Sequence, residues 1–136
     1  GRLAEIIVLD QFSRNLYRDS GLAFTNDLAA LVLAQHTIQL GLDQALSTIE
    51  KSFLYLPFMH SESLAIHEQA VNLYSIKGLE FNLAFELKHK VIIERFGRYP
   101  HRNAVLNRQS SQDELLFLQQ PNSGFWSQKT IVADSH

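Results

Sequence analysis

The chain has 136 residues, of which 46% are hydrophobic and 19% are charged, a composition typical of a folded globular protein. Its formal net charge of -2 gives no overall reason to expect binding to nucleic acid or to an acidic membrane surface. The absence of cysteine excludes disulfides, thiolate catalysis and cysteine-ligated zinc, and no apolar run approaches the roughly 20 residues of a membrane span. We therefore expect a single cytoplasmic domain over residues 1–136, with 122–136 as a C-terminal tail.

The start of the chain has an apolar pattern but no initiator methionine. Native N-termini are more often polar and frayed, so we expect that an N-terminal segment is missing. The apolar residues Leu3, Ile6 and Ile7 would then be uncovered, which predicts a homo-oligomer or a partner chain at this surface.

Apolar spacing of three and four residues predicts helices along the whole chain. The five longest are predicted at 3–17, 22–40, 44–55, 62–76 and 79–96. Gly41 and Gly97 are expected in the left-handed conformation that ends a helix. Asp43 and either Ser61 or Ser63 are predicted N-caps, and Ser111 with Glu114 fits a capping box before a last helix. Helices of this length with short connections predict an all-α array of helix hairpins.

A first polar group lies near the end of the predicted first helix. Asp10, Arg14 and Arg18 are four residues apart and share one helix face, with Asn15 beside them. Asp10 follows four apolar residues, so its carboxylate needs a partner. The group is interpreted either as an anion site with a spare guanidinium or as a buried ion pair that fixes helix packing.

A second polar group is the loop after the fifth helix, 95–103. Three arginines, Arg95, Arg98 and Arg102, lie here with His101 and Asn103, and Pro100 restricts the backbone around them. Preorganised donors of this kind indicate an anion-binding loop. The alternative is that they bond helix ends and tie the loop down.

A third polar group is His60 with Glu62, which follows a proline. Residue type alone would allow a metal site that also uses His101, but capping of the next helix by Ser61 or Ser63 is the favoured interpretation. No metal and no cofactor are predicted. His89 lies on an apolar helix surface and is interpreted as a satisfied core histidine.

Three segments together carry a resemblance to a known family. They are LDQFSRNLYR at 9–18, FLYLPFMHSE at 53–62 and ERFGRYPHRNAVLNRQSSQDELLFL at 94–118. They resemble the bacterial domain-of-unknown-function family 924, which implies an all-α, tetratricopeptide-like array of antiparallel helix hairpins. The resemblance also implies that a helical segment precedes the first motif, and it implies no activity.

The leading hypothesis is that the three polar groups converge into a cleft that binds an anionic small molecule or a peptide carboxylate. Nucleic-acid and membrane partners are not expected. An alternative is a small hydrolase or transferase with Asp10 or Glu62 as base, His60 or His101 as acid or base, and arginines that stabilise negative charge. A third possibility is a structural polar network, with partners bound elsewhere. The residues expected to bind ligand are Arg14, Asn15, Arg18, Arg95, Arg98, Arg102 and Asn103.

Overall fold

Helices make up the regular structure of the chain. A computed structural model describes residues 1–12, 14 and 21–121, and these ranges contain helices and no strand, which confirms the all-helical prediction. The α-helices are α1 Arg2–Ile7, α2 Asp27–Gln39, α3 Thr48–Leu54, α4 Leu56–His60, α5 Leu64–Tyr74, α6 Glu80–Phe96 and α7 Gln112–Leu118. No helix within these ranges combines the length and the apolarity that a bilayer crossing requires.

The first helix differs from the continuous helix predicted at 3–17. The α-helical geometry ends at Ile7, and Val8–Phe12 forms a π-helical turn. A π turn inserts one extra residue into the helix, and such insertions often lie at functional sites. Ile6 is fully buried by this same chain, so the uncovered surface expected at Leu3, Ile6 and Ile7 does not include Ile6.

The buried face of α2 consists of small side chains. A 3-10 turn, Gly21–Phe24, precedes this helix, which is shorter than the predicted 22–40. From the sequence, the apolar stripe is predicted on Leu28, Leu31, Val32, Ala34 and Leu40. Ala34 is buried and Leu31 packs against the core, but Leu28, Val32 and Leu40 are exposed. Ala30 and Thr37 complete the buried face. Small residues let the backbone of α2 lie close to α1 and α4, which it contacts.

The third predicted helix, 44–55, is interrupted. A 3-10 turn occupies Leu42–Ala45, and α3 begins after Ser47, which makes a capping box with Glu50. Asp43 is therefore not the cap: it is buried and accepts a hydrogen bond from the Tyr55 hydroxyl at 2.9 Å. Pro57 lies in the first turn of α4, where a proline is tolerated because the backbone N–H has no helical partner.

Helices α5 and α6 pack together, and their ends follow the predicted local signals. Ser63 caps α5, and Gly97 ends α6 with a φ of 73°. The apolar stripes predicted for the helix at 79–96 are correct in part: Leu79 and Ile92 are buried, but Phe81, Leu87 and Val91 are exposed. The face that α6 buries includes Glu86 and His89.

The core lies where α1, α2, α3, α4 and α5 meet. Its fully buried members include Ile6, Leu54, Phe58, Ala70 and Tyr74. A smaller apolar cluster around Ile92, Ile93 and Tyr99 lies near the C-terminal end of α6. The loop after α6 runs beside this second cluster, and its Pro100–Arg102 segment is a 3-10 turn. The capping box predicted at Ser111 and Glu114 is confirmed at the start of α7.

Candidate functional site

Asp10 and His60 form a buried pair. Asp10 lies in the π turn and His60 is the last residue of α4, and they are 1% and 5% exposed. His60 Nδ1 lies 2.8 Å from Asp10 Oδ1, and the Gln11 carboxamide donates to the other Asp10 oxygen. Asp10 and His60 are therefore within hydrogen-bond distance, as the acid–base alternative requires.

The protonation of this pair follows from its surroundings. Burial disfavours ionised Asp10, but His60 and Arg14 outweigh burial, so the pKa of this carboxyl lies below its usual value. Burial and the charge of Arg14 lower the pKa of His60. An ionised carboxylate can only accept, so neutral His60 must donate its Nδ1 hydrogen to Asp10. The imidazole is then held as the tautomer in which Nε2 is the basic nitrogen.

Two arginines approach the pair and share a second carboxylate, Asp27, at the start of α2. Arg14 makes two 2.8 Å hydrogen bonds to Asp27 and also contacts Asp10, at 3.3 Å from Oδ1 and 2.6 Å from the backbone carbonyl. Arg102 Nη1 lies 3.9 Å from Asp27, and its Nη2 donates to the carbonyl of His60 at 2.9 Å. The first helix, the His60 region and the loop therefore do meet.

Aromatic rings flank the guanidinium groups. Phe24 lies under both, with its ring centre 4.3 Å from the Cζ of Arg102 and 5.4 Å from that of Arg14. Tyr99 covers Arg102 at 4.7 Å. Stacking of this kind holds a guanidinium plane in a fixed orientation.

Burial and neighbouring arginines lower two further pKa values beside this site. Burial and the charge of Arg14 lower the pKa of Arg102 to about 10. Burial and Arg102 lower the pKa of His101, which packs against Tyr99, to about 2. His101 is therefore neutral at physiological pH, and no described contact joins it to Glu62. Its predicted acid–base role remains a proposal.

Most of the loop residues are occupied in holding the loop. Arg98 makes two 2.8 Å hydrogen bonds to Glu114 of α7. Asn103 donates to Ser110 at 3.0 Å and accepts from Arg108 at 3.0 Å. These contacts match the alternative interpretation, in which the polar side chains tie the loop to its neighbours.

Glu62 is also held by the loop. It accepts two hydrogen bonds from Arg108, at 2.9 and 3.0 Å, and one from the Tyr99 backbone N–H at 2.7 Å. Burial opposes ionisation here, but Arg108 and Tyr99 together keep the pKa of Glu62 below its usual value. Glu62 therefore stays ionised and anchors the loop beside the Asp10–His60 pair.

Arg95, a predicted ligand residue, packs against aromatic rings away from the cluster. The described contacts of Arg95 are the ring faces of Phe96 and Phe117, at 4.6 and 5.8 Å. Asn15 and Arg18 lie outside the described residues, so their predicted role stays a prediction.

The sequence interpretation missed a second buried pair, His67 of α5 with Glu86 of α6. His67 Nδ1 lies 2.7 Å from Glu86, and its Nε2 lies 2.6 Å from the Ser61 carbonyl and 3.0 Å from the Tyr99 hydroxyl. A carbonyl only accepts, so Nε2 carries hydrogen, and the bond at Nδ1 needs a further shared proton. Burial raises the pKa of Glu86, which favours keeping that proton in the pair.

Local sequence signals for these missed residues are weak. His67 and Glu86 are 19 positions apart, and neither position differs in pattern from an exposed helical residue. Asp27 reads as an ordinary acidic residue in a first helical turn. His89, by contrast, was predicted as a core histidine, and this is confirmed. It is buried, and its Nδ1 lies 2.6 Å from the Phe85 carbonyl.

The described residues contain no group of three or more histidine, aspartate or glutamate side chains placed to hold a metal ion. His60, Glu62 and His101, the metal combination considered from the sequence, each have the other contacts given above.

A cleft of about 400 Å³ lies elsewhere, between α2 and α5. Its lining residues are Gln35, Ile38, Gln39, Phe58, Gln69, Asn72 and Leu73. None of them belongs to the polar cluster around Asp10 and His60, so cleft and cluster are separate features.

The chain is similar to known proteins over most of its length. The family model for bacterial proteins of unknown function (DUF924) matches residues 1–122. A solved structure of a protein of unknown function from Agrobacterium tumefaciens shares 38% sequence identity with this chain, with a TM-score of 0.82. The similarity covers 87% of this chain and 66% of that protein, so the chain spans slightly less than two-thirds of its length. No protein of curated function matches. Since the family match extends over most of the sequence, the chain belongs to this family of bacterial proteins of unknown function (DUF924).

Proposed function

We propose that the chain binds the acidic group of a small molecule or a peptide carboxylate where Arg14 and Arg102 face Asp27. The observation that supports this is the convergence of two guanidinium groups on one carboxylate, at 2.8 and 3.9 Å. Planar guanidinium groups recognise carboxylate and phosphate through paired hydrogen bonds.

Charge balance sets how such a ligand would enter. Arg14 and Arg102 are matched by Asp10 and Asp27, so an added anion needs one carboxylate to leave. Asp27 is the candidate, since its side chain is 21% exposed while that of Asp10 is 2% exposed. The ligand would take the place of the Asp27 carboxylate, and Asp27 would turn towards solvent. Asp27 then acts as an internal competitor that lowers the apparent affinity.

This competition gives the experiment. Phosphate, sulfate, citrate and an acetylated dipeptide with a free carboxylate are titrated and followed by calorimetry and by the shift in melting temperature. We expect Asp27→Asn to bind about tenfold more tightly than the unmodified chain, because the competing charge is gone. Arg14→Gln should abolish binding, and Arg95→Gln is the matched control, since Arg95 lies on Phe96 and Phe117. Equal affinity in the unmodified chain, Asp27→Asn and Arg14→Gln would refute the proposal.

A second candidate is acid–base catalysis, supported by the 2.8 Å contact between Asp10 and His60. A carboxylate that fixes the imidazole tautomer makes Nε2 a general base, and the nearby arginines would stabilise negative charge on a reacting group. A panel of phosphate and carboxylic esters tests this idea. His60→Asn keeps a donor to Asp10 but removes the base, so turnover should fall by at least about a hundredfold. Turnover that His60→Asn leaves unchanged contradicts it.

The third possibility is that the polar cluster only stabilises the fold. The change in melting temperature on adding an anion distinguishes it from anion binding and from catalysis. Arg102 is 4% exposed, so Arg102→Ala should cost about 3–5 kcal/mol of unfolding free energy whichever role is correct. Only a structural role predicts that no anion changes the melting temperature of any variant.

Self-association is a separate part of the proposal. Leu3 and Ile7 are half-buried, and Val8, which follows them, is 54% exposed. A second copy would cover this apolar surface. Light scattering that shows a monomer at all concentrations would contradict it.

A further inference from the structure

The cleft between α2 and α5 has the size and the walls of a binding site. Its volume of about 400 Å³ falls within the range of about 300–1,000 Å³ found for ligand pockets. Buried Phe58 of α4 contributes to its lining, and Ile38 and Leu73 provide further apolar surface. The exposed side chains of Gln39, Gln69 and Asn72 border it, so it is open to solvent rather than enclosed.

The polar groups of the cleft are all carboxamides. Gln35 and Gln39 come from α2, and Gln69 and Asn72 come from α5. Each carboxamide offers both hydrogen-bond donors and an acceptor, and none carries charge. With no charged residue in the lining, a charged ligand would lose its hydration without gaining a partner. The complementary ligand is uncharged and presents donors and acceptors beside apolar groups.

The spacing of the carboxamides indicates the form of that ligand. Gln35 and Gln39 are one helical turn apart, about 6 Å along the axis. An extended polypeptide repeats every two residues, at about 6.5–7 Å, and presents a peptide group on the same side at each repeat. The two spacings are close enough for both glutamines to bond successive peptide groups, while Ile38 and Leu73 contact apolar side chains. An open cleft also lets a chain enter and leave, which an enclosed pocket would not.

We propose that this cleft binds an extended, uncharged peptide segment of a partner protein through the carboxamides of Gln35, Gln39, Gln69 and Asn72. The proposal does not depend on anion binding at Arg14 and Arg102, because no residue of that cluster lines the cleft.

The experiment uses ¹⁵N-labelled protein and a pool of acetylated, amidated hexapeptides built from alanine, valine, leucine, serine and threonine. Side-chain NH₂ resonances of the four carboxamide residues report directly on the cleft. We expect them to shift with the best peptides of the pool. The double variant Gln35→Leu with Gln39→Leu should weaken the best peptide about tenfold, because two hydrogen bonds are lost. Gln119→Leu, an exposed glutamine outside the cleft, is the matched control and should bind normally.

Peptides with methylated backbone nitrogens distinguish backbone recognition from apolar contact. They lack the N–H donors, so we expect no binding. Equal binding of methylated peptides would overturn the proposal, as would the absence of any shift at millimolar peptide. Uridine, which presents amide-like groups on a small ring, is the last probe. If uridine shifts the four resonances and no peptide does, the cleft is a small-molecule site and the proposal is wrong.

Discussion

Removal of His89 should make folding less sensitive to acid. Burial lowers the pKa of His89 to about 3, while an unfolded chain has a histidine pKa of about 6.5. Between these values the unfolded state binds one more proton at this position than the folded state. Unfolding free energy therefore rises with pH in this window and falls as the solution is acidified.

The size of the effect follows from the two pKa values. Between pH 7.5 and pH 5.5, protonation of this one side chain in the unfolded state should remove about 1.4 kcal/mol of stability. His60 and His101, whose pKa values are also lowered, act in the same direction. We expect the unmodified chain to lose several kcal/mol of stability across this range, and His89 to account for about 1.4 kcal/mol of that loss.

The assay is urea unfolding of the unmodified chain and of His89→Asn at pH 7.5, 6.5 and 5.5. Asparagine keeps a donor near the Phe85 carbonyl but does not titrate. The destabilisation caused by His89→Asn should thus shrink by about 1.4 kcal/mol between pH 7.5 and pH 5.5. The control is Gln119→Asn, a change at an exposed residue that has no titratable group, and it should leave the pH dependence unchanged. Parallel pH profiles for the unmodified chain and His89→Asn would refute the reasoning.

Three further substitutions test how the loop and its flanking helices are held, each by urea unfolding. Ser111→Ala removes the capping side chain of α7 and should cost about 1 kcal/mol; no loss would mean that water replaces the cap. Gly97→Ala should cost about 1 kcal/mol, because alanine is strained at a φ of 73°. No atom lies near the added Cβ, so we expect no further cost from a clash. A neutral result there would show that the end of α6 adjusts freely. Arg108→Leu leaves Glu62 without two charge-assisted hydrogen bonds and should cost about 2 kcal/mol. The double change with Glu62→Gln should cost less than the sum of the two single changes, and strict additivity would contradict a direct pairing.

Local signals in the sequence were sufficient to place several helix ends. Ser63, Gly97 and Ser111 are at predicted ends because a hydroxyl cap or a left-handed glycine acts on its immediate neighbours. The cap at Ser47 was missed, although Ser47 and Glu50 have the same spacing as Ser111 and Glu114. Asp43 was the more obvious acidic residue, but its carboxylate is taken by Tyr55, twelve residues away.

The buried faces were harder to predict because hydrophobic periodicity counts only apolar residues. Helix α6 buries Glu86 and His89 and exposes Phe81, which is 75% exposed. A carboxyl group can be buried when a distant partner shares a hydrogen bond with it, as His67 does with Glu86. That partner lies on another helix, so no window along one helix reveals it.

The candidate site was also predictable only in part, because some of its contacts are local in sequence and others join distant segments. Arg14 beside Asp10 follows from four-residue spacing, and convergence of the three polar segments was hypothesised, but not the particular contact of Arg102 with the His60 carbonyl. Asp27, which both arginines approach, gave no sign in the sequence. Spacing alone does not determine how α7 packs. The contacts of Arg98 with Glu114 and of Asn103 with Ser110 depend on that packing.

The π turn at Val8–Phe12 constrains how the length of the first helix can change. An α-helix advances about 100° per residue, so deleting one residue here would rotate everything before it by about that angle relative to Asp10. Ile6, now fully buried, would then leave the core, or Asp10 would lose His60. The extra residue thus lets one helix satisfy an apolar contact and a polar contact that regular geometry would not place together. Single-residue deletions between Val8 and Asp10 should therefore be tolerated far less well than substitutions at the same positions.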